Sequence, residues 1–191
     1  MDVTYQESDK DLWVSFTNGD DAALNTIYKK FIHVLYAFGL RYTEDPEVVK
    51  DSIQDLFVDL FKYRQTLSSE VNVKSYLFTS LKRKICLVLK KAAARENQAF
   101  QLSFSLTYNL EEEITGDEIR TELLSKLDQQ LALLPNRQKE ALYLRFNSEL
   151  EYEEIALIMD VSVETVRTLV YRGVKQLRKR MVVRHLYKIL A

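Results

Sequence analysis

Residues 152–171 read Tyr-Glu-Glu-Ile-Ala-Leu-Ile-Met-Asp-Val-Ser-Val-Glu-Thr-Val-Arg-Thr-Leu-Val-Tyr. Two helices that cross at a short turn need a small residue where they touch, and Ala156 supplies it. They also need apolar residues facing a shared core, and Ile155, Met159, Val161, Val166 and Leu169 recur at the helical spacing for that. Ser162 is a good N-cap for the second helix, and Glu164 suits its positive end. Asp160 occupies the turn, where aspartate tolerates a left-handed backbone better than most residues. The stretch predicts a helix-turn-helix. From Val163 the second helix leaves Arg167, Thr168, Tyr171, Arg172 and Lys175 on its outer side and runs into Arg178-Lys179-Arg180. A reading end followed by a basic tail is what docking in the major groove of DNA requires; a helical hairpin with a solvated basic face is the alternative.

Helical periodicity extends upstream of this motif. Leu123, Leu124, Leu127, Leu131 and Leu134 mark a helix from about residue 119, ended by Pro135, and a further helix is expected over 136–146. Before residue 119 the pattern changes. Phe100, Leu102, Phe104, Leu106, Tyr108 and Leu110 alternate with Gln101, Ser103, Ser105, Thr107 and Asn109, a period of two that predicts an extended segment with one apolar face. A strand would need a partner of similar quality, and the chain offers none, so 96–118 reads as an extended linker lying along another surface.

The first 95 residues are again helical. A short helix over 9–18 stops at Gly19, and Asp20 or Asp21 caps a long one reaching about Arg41, with Leu24, Ile27, Tyr28, Phe31, Leu35 and Phe38 inside. Asp45-Pro46-Glu47 starts another, to about Tyr63, burying Val49, Ile53, Leu56, Phe57 and Leu60. A third long helix spans about Val73 to Arg95, with Leu77, Leu81, Ile85 and Val88 as its apolar stripe and Lys82, Arg83 and Lys90 roughly opposite. The predicted fold is all-α: two small helical domains, 1–95 and 119–191, joined by the extended linker 96–118, the second domain a helix-turn-helix.

Composition agrees with this reading. Four Gly and two Pro in 191 residues are too few for the turns of a sandwich or barrel. Cys86 is alone, so no intramolecular disulfide forms, and His33 and His185 are too far apart in sequence to suggest a zinc site; no metal or other cofactor is expected. The glycines are scattered and form no phosphate-binding loop, so no catalytic residue stands out and an enzyme has little support. No apolar run approaches a membrane span, and the start lacks the features of a signal peptide, so the expected location is the cytoplasm with no membrane insertion.

The net charge of −1 is a cancellation. Residues 1–70 hold seven basic and thirteen acidic residues, 71–100 seven and one, 101–160 five and thirteen, and 161–191 eight and one. Two helix-sized basic blocks alternating with acidic ones are a footprint of polyanion binding. On the helix from Pro46, the side away from the core carries Asp51, Gln54, Asp55 and Val58, with Asp59 beside them. Acids at this spacing repel one another mildly, so helix stability does not explain them. A solvated face and a protein-binding face both fit.

These blocks together resemble the extracytoplasmic-function (ECF) class of bacterial RNA polymerase sigma factors, from Leu12-Trp13 to about Arg180. Gly19-Asp20 with Ala23-Leu24 and Ile27-Tyr28 resembles the family's first long helix. Asp51-Ser52-Ile53-Gln54-Asp55-Leu56-Phe57 with Leu60-Phe61 resembles its motif for binding core polymerase. Tyr76-Leu77 and the basic helix after it resemble the segment that opens the minus-ten promoter element. Leu134-Pro135-Asn136-Arg137-Gln138 and Tyr152-Glu153-Glu154-Ile155-Ala156 resemble the start of the second domain and its helix-turn-helix. Where the family usually has an arginine-asparagine pair and a following aspartate, this chain has Lys82-Arg83 and Leu87.

The resemblance implies a promoter-specificity subunit whose partners are core polymerase, promoter DNA and an anti-sigma factor. It implies polymerase contacts at Asp51, Gln54, Asp55 and Val58. Promoter melting falls to Lys74, Tyr76, Lys82, Arg83, Lys90 and Lys91, with the 65–72 loop as a pocket for a flipped base. Minus-35 recognition falls to the helix bearing Ser162, Glu164, Thr165, Arg167, Thr168, Tyr171, Arg172 and Lys175. A helix-turn-helix regulator that works without polymerase is the alternative, and it leaves the first 95 residues unexplained.

Overall fold

The computed structural model describes residues 8–106 and 118–190, and side chains over 8–106 and 122–181. Among the described residues all regular structure is helical. Helix α1 is Asp9–Thr17, α2 Asp21–Gly39, α3 Pro46–Tyr63 and α4 Val73–Arg95, with a 3-10 turn at Arg64–Thr66. The rest are α5 Glu118–Ala132, α6 Asn136–Phe146, α7 Tyr152–Met159 and α8 Val163–Leu190. Chain contacts divide the protein into two compact units, Met1–Leu102 and Ser103–Ala191.

The starts of the first four helices are fixed by side chains that satisfy otherwise unpaired backbone N–H groups. Ser8 Oγ accepts from Asp11 N (3.2 Å), Asp20 Oδ1 from Ala22 N (2.8 Å), Asp45 Oδ1 from Glu47 N (2.9 Å) and Asn72 Oδ1 from Ser75 N (2.9 Å). Gly19, at φ 109°, makes the elbow between α1 and α2, a conformation closed in practice to residues with a Cβ.

In the first unit α2, α3 and α4 enclose Ile27, Phe31, Leu35, Phe38, Ile53, Leu56, Leu77, Phe78, Leu81 and Ile85, all buried. Phe38 stands at the centre, its ring 4.7 Å from that of Phe78 and 5.2 Å from that of Tyr42. Beside it α2 and α3 come so close that a Cβ on Gly39 would lie 2.5 Å from Val49 Cγ1.

Four expected core positions of this unit are not buried, among them Leu24, which is half-buried on α2. Val88 is exposed because α4, at 23 residues, outruns the 18 of α3, and burial along it ends at Ile85. Tyr28 is exposed and Phe57 half-buried, their rings edge to face at 5.0 Å, so that they shield each other at the surface between α2 and α3.

The second unit gathers Leu131, Leu134, Leu142, Leu144, Leu150, Ile155, Ile158, Met159, Val166 and Val170 around the crossing of α6, α7 and α8. Leu123, expected inside, is exposed; burial on α5 is confined to its C-terminal end, where Gln130 and Leu131 are covered. Residues 101–106 have no helix or strand, and burial there alternates: Gln101, Ser103 and Ser105 are exposed, whereas Phe104 and Leu106 are buried. The Phe104 ring meets Tyr143 of α6 edge to face at 5.7 Å. The apolar side of this segment is thus part of the second core. The part of the expected linker over 107–117 lies outside the described residues.

Phe104→Ala should lower the stability of the second unit by about 3 kcal/mol, the usual cost of emptying a buried phenylalanine site. Gln101→Ala, on the exposed side of the same segment, should change it by less than about 0.5 kcal/mol. Urea denaturation followed by circular dichroism checks both, and equal effects would show that the alternation does not decide packing.

Candidate nucleic-acid interface

The second unit presents a helix-turn-helix built as its residues dictate. Asp160 holds the left-handed conformation, φ 53° and ψ 56°, and the N–H of Val161 donates back to Ala156 O at 3.1 Å. Arg137 of α6 donates to Met159 O at 3.3 Å, holding the end of α7 from outside the motif. Ser162 Oγ then accepts from Thr165 N at 3.2 Å and starts α8. Ala156 and Val166 are buried where α7 and α8 meet, and Gly173 lets α8 approach α6, since a Cβ there would stand 2.9 Å from Leu142 Cδ1.

On the other side of α8, Ser162, Glu164, Thr165, Arg167, Thr168, Tyr171, Arg172 and Lys175 are all exposed. Helical phase separates them. Glu164, Thr168, Tyr171 and Lys175 lie near the middle of the outward face, and Lys175 Nζ sits 5.6 Å from the Tyr171 ring centre. Arg167 lies at the edge beside α7. Its guanidinium is 3.8 Å from the Glu153 carboxylate and 5.6 Å from the Tyr152 ring centre, while Arg145 approaches that ring at 5.0 Å. An exposed ion pair this long holds little energy, so Arg167 is oriented yet available to another acceptor.

In the first unit, Asp51, Gln54, Asp55 and Val58 are all exposed on the face of α3 away from the core. Asp59 is set apart from them, because its carboxylate pairs with Lys84 of α4 at 2.6 Å. Beside this face runs a groove of about 620 Å³ between α2 and α3, its walls formed by Leu24, Tyr28, Tyr36, Ile53, Phe57 and Phe61, with Gln54 and Val58 on its rim. Lys50 also lines it; its pKa is raised by the hydrogen bond to Glu47 (2.7 Å) and by that carboxylate's charge. The sequence pattern missed the groove because it treats Tyr28 and Phe57 as core. The spacing of Leu24, Tyr28, Ile32 and Tyr36 along one side of α2 is the signal that could have found it.

The basic residues of α4 do not share one face. Tyr76, Arg83 and Lys90, seven positions apart, form a stripe opposite the core. Lys74, Lys82 and Lys91 lie off it. Arg83, Lys90 and Lys91 are exposed, whereas Lys74, Tyr76 and Lys82 are half-buried. Tyr76 is covered by Trp13 of α1, ring centres 5.3 Å apart. Among the described residues no cluster of His, Cys, Asp and Glu could hold a metal, and no helix is long and apolar enough to cross a membrane.

Comparison with known proteins places both units. Residues 124–177, which contain the helix-turn-helix, match the family Sigma-70, region 4. The RNA polymerase sigma factor YlaC of Bacillus subtilis is 24% identical over 162 residues, covering 83% of this chain and 92% of its own length. The ECF RNA polymerase sigma factor SigM of the same organism is 23% identical, covering 81% and 93%. Over most of its length the chain is similar to ECF sigma factors. Its fold is that of the sigma factor RpoE of Bartonella quintana, solved in complex with the anti-sigma factor NepR, at a TM-score of 0.60 and 20% identity over 83% of this chain and 96% of that one. It departs from the pattern of that family at Lys82-Arg83, which α4 splits between a half-buried side and the exposed stripe, and at Leu87, which is exposed.

Arg167→Ala should weaken binding of the full chain to its preferred duplex by about 1–3 kcal/mol and leave a scrambled duplex almost unaffected. Lys175→Ala should weaken both alike and reduce the salt slope by about one. Titrations at two salt concentrations check this; equal loss on both duplexes for Arg167→Ala would make Arg167 a phosphate contact.

Proposed function

We propose that this ECF sigma factor binds core RNA polymerase through α3 and directs it to promoters through α4 and α8. The observation that carries the reading is the extent of the homology. Sigma factors align with both units, over 81–83% of this chain and 92–93% of their own lengths, so the first unit is not an accessory to a DNA-binding domain. A regulator working without polymerase leaves the first unit and its outward acidic face unexplained.

In this reading residues 1–95 bind polymerase and open the minus-ten element, 96–118 connect, and 119–191 read the minus-35 element. Asp51, Gln54, Asp55 and Val58 form the polymerase contact: two carboxylates for a basic partner surface, an amide for hydrogen bonding, and an exposed valine where water can be displaced. On α4 the stripe of Tyr76, Arg83 and Lys90 offers an aromatic ring and cations to a separated DNA strand, a combination suited to unpaired bases and their phosphates. Lys74, Lys82 and Lys91 add positive charge on the flanks. On α8, Ser162, Glu164, Thr165, Arg167 and Thr168 lie at the end nearest the base edges, and Tyr171, Arg172 and Lys175 farther along towards the backbone.

The chain then acts as a binding module, with catalysis left to the polymerase and no cofactor of its own. Its place of work is that of the polymerase, the cytoplasm. An anti-sigma factor is the further partner this reading expects, since RpoE of Bartonella quintana was solved bound to one.

Charge reversal at both Asp51 and Asp55 should abolish co-purification with core polymerase while leaving helicity and thermal midpoint unchanged, because neither carboxylate is buried. Normal yield of the complex from the double variant would remove this face from the polymerase contact.

A further inference from the structure

Trp13 is the one tryptophan in the sequence. It is fully buried in α1, yet its indole N–H reaches out of the core and donates to the carbonyl of Ser68 at 2.9 Å, across 55 positions of sequence. The same ring lies against Tyr76 on the DNA-facing stripe. A second contact runs from Arg64, just before the same loop, to the elbow between α1 and α2. Arg64 Nη1 is 2.7 Å from the Asp21 carboxylate and 3.5 Å from the Gly19 carbonyl.

Between these tethers the chain is held by its own hydrogen bonds. The Thr66 hydroxyl donates to Tyr63 O (2.8 Å), Leu67 N to Arg64 O (3.2 Å) and Glu70 N to Ser68 Oγ (3.1 Å). Ser68, Ser69 and Glu70 are exposed. A buried indole N–H needs an acceptor, and that of Trp13 takes it from the backbone of an exposed loop. A loop without such ties samples many conformations, and a ligand that needs one of them binds more weakly by the cost of ordering it.

We propose that Trp13 and Arg64 are positioning residues that fix the 65–72 loop and the Tyr76 ring in the shape that receives one unpaired base of the promoter strand. The inference rests on the reading of this loop as the pocket for that base. A flipped base is read by hydrogen bonds to its edge and by stacking on an aromatic ring. The exposed Ser68, Ser69 and Glu70 offer the first and Tyr76 the second. The α1–α2 elbow then contributes to base selection without touching DNA.

The test uses the full chain assembled with core polymerase and a pool of randomised single-stranded DNA, with the bound fraction sequenced. Wild-type holoenzyme should enrich strands with one dominant base at a defined position. Replacing Ser68, Ser69 and Glu70 together by glycine should erase that preference. Trp13→Phe and Arg64→Gln should each lower it about fivefold, the scale of one lost hydrogen bond or partly exposed ion pair, with polymerase binding and far-ultraviolet circular dichroism unchanged. Full preference in both variants, with the glycine loop still erasing it, would overturn the inference and leave the pocket standing. Full preference in the glycine loop, or no enrichment by the wild type, would overturn the pocket and the inference together. Should Trp13→Phe fail to fold, Arg64→Gln decides alone, because its contact lies at the surface.

Discussion

Asp160 sets the geometry on which DNA reading by this protein depends. Its left-handed backbone ends α7 and turns the chain so that Ser162 can cap α8 after a break of only three residues. With the turn that short, α7 and α8 pack against each other, and Ala156 is buried. That crossing puts Val166 inside, Thr168 and Lys175 outside, and Arg167 between them against Tyr152 and Glu153. A residue that resists the left-handed region would strain this turn by about 1–2 kcal/mol. Arg137 reinforces the same point from α6 by holding the carbonyl of Met159.

The first unit meets a different constraint. Three long helices must share a small core and still present opposite charges on different sides. Gly39 and Phe38 solve the packing, one by close approach and the other by its two aromatic neighbours. Charge is then sorted by helix: acids away from the core on α3, bases away from it on α4. The Asp59–Lys84 pair is where the two helices neutralise each other. That pairing leaves Asp51 and Asp55 facing solvent on one side and Arg83 and Lys90 on the other. A nearly neutral chain therefore offers an acidic surface suited to a basic protein and a basic surface suited to DNA.

Much of this was legible in the sequence because it is local. A capping side chain acts two or three residues away, so Asp20, Asp45 and Ser162 announce helix starts that the structure keeps. Outward positions follow from the 3.6-residue period, which placed Asp51, Gln54, Asp55 and Val58 correctly, along with the whole outward set of α8. Periodicity does not say how long a neighbouring helix is. Val88 continues a good stripe and is nevertheless exposed, because full burial along α4 ends at Ile85. Nor does it distinguish a core aromatic from one in a groove wall, so Tyr28 and Phe57 read as interior. Contacts across many residues left no trace at all. The Trp13–Ser68 hydrogen bond needs the fold to bring its ends together, as does the stacking of Arg145 and Arg167 on Tyr152.

The central claim is that this chain selects start sites for a polymerase that cannot select them alone. The direct measurement is transcription from sheared bacterial genomic DNA by purified core polymerase, with and without the full chain, followed by mapping of transcript 5′ ends. The account predicts discrete starts that appear only when the chain is present, preceded by two sequence blocks at constant spacing, one for each helical unit. Discrete DNA binding by the chain without core polymerase, together with unchanged starts in its presence, would contradict it.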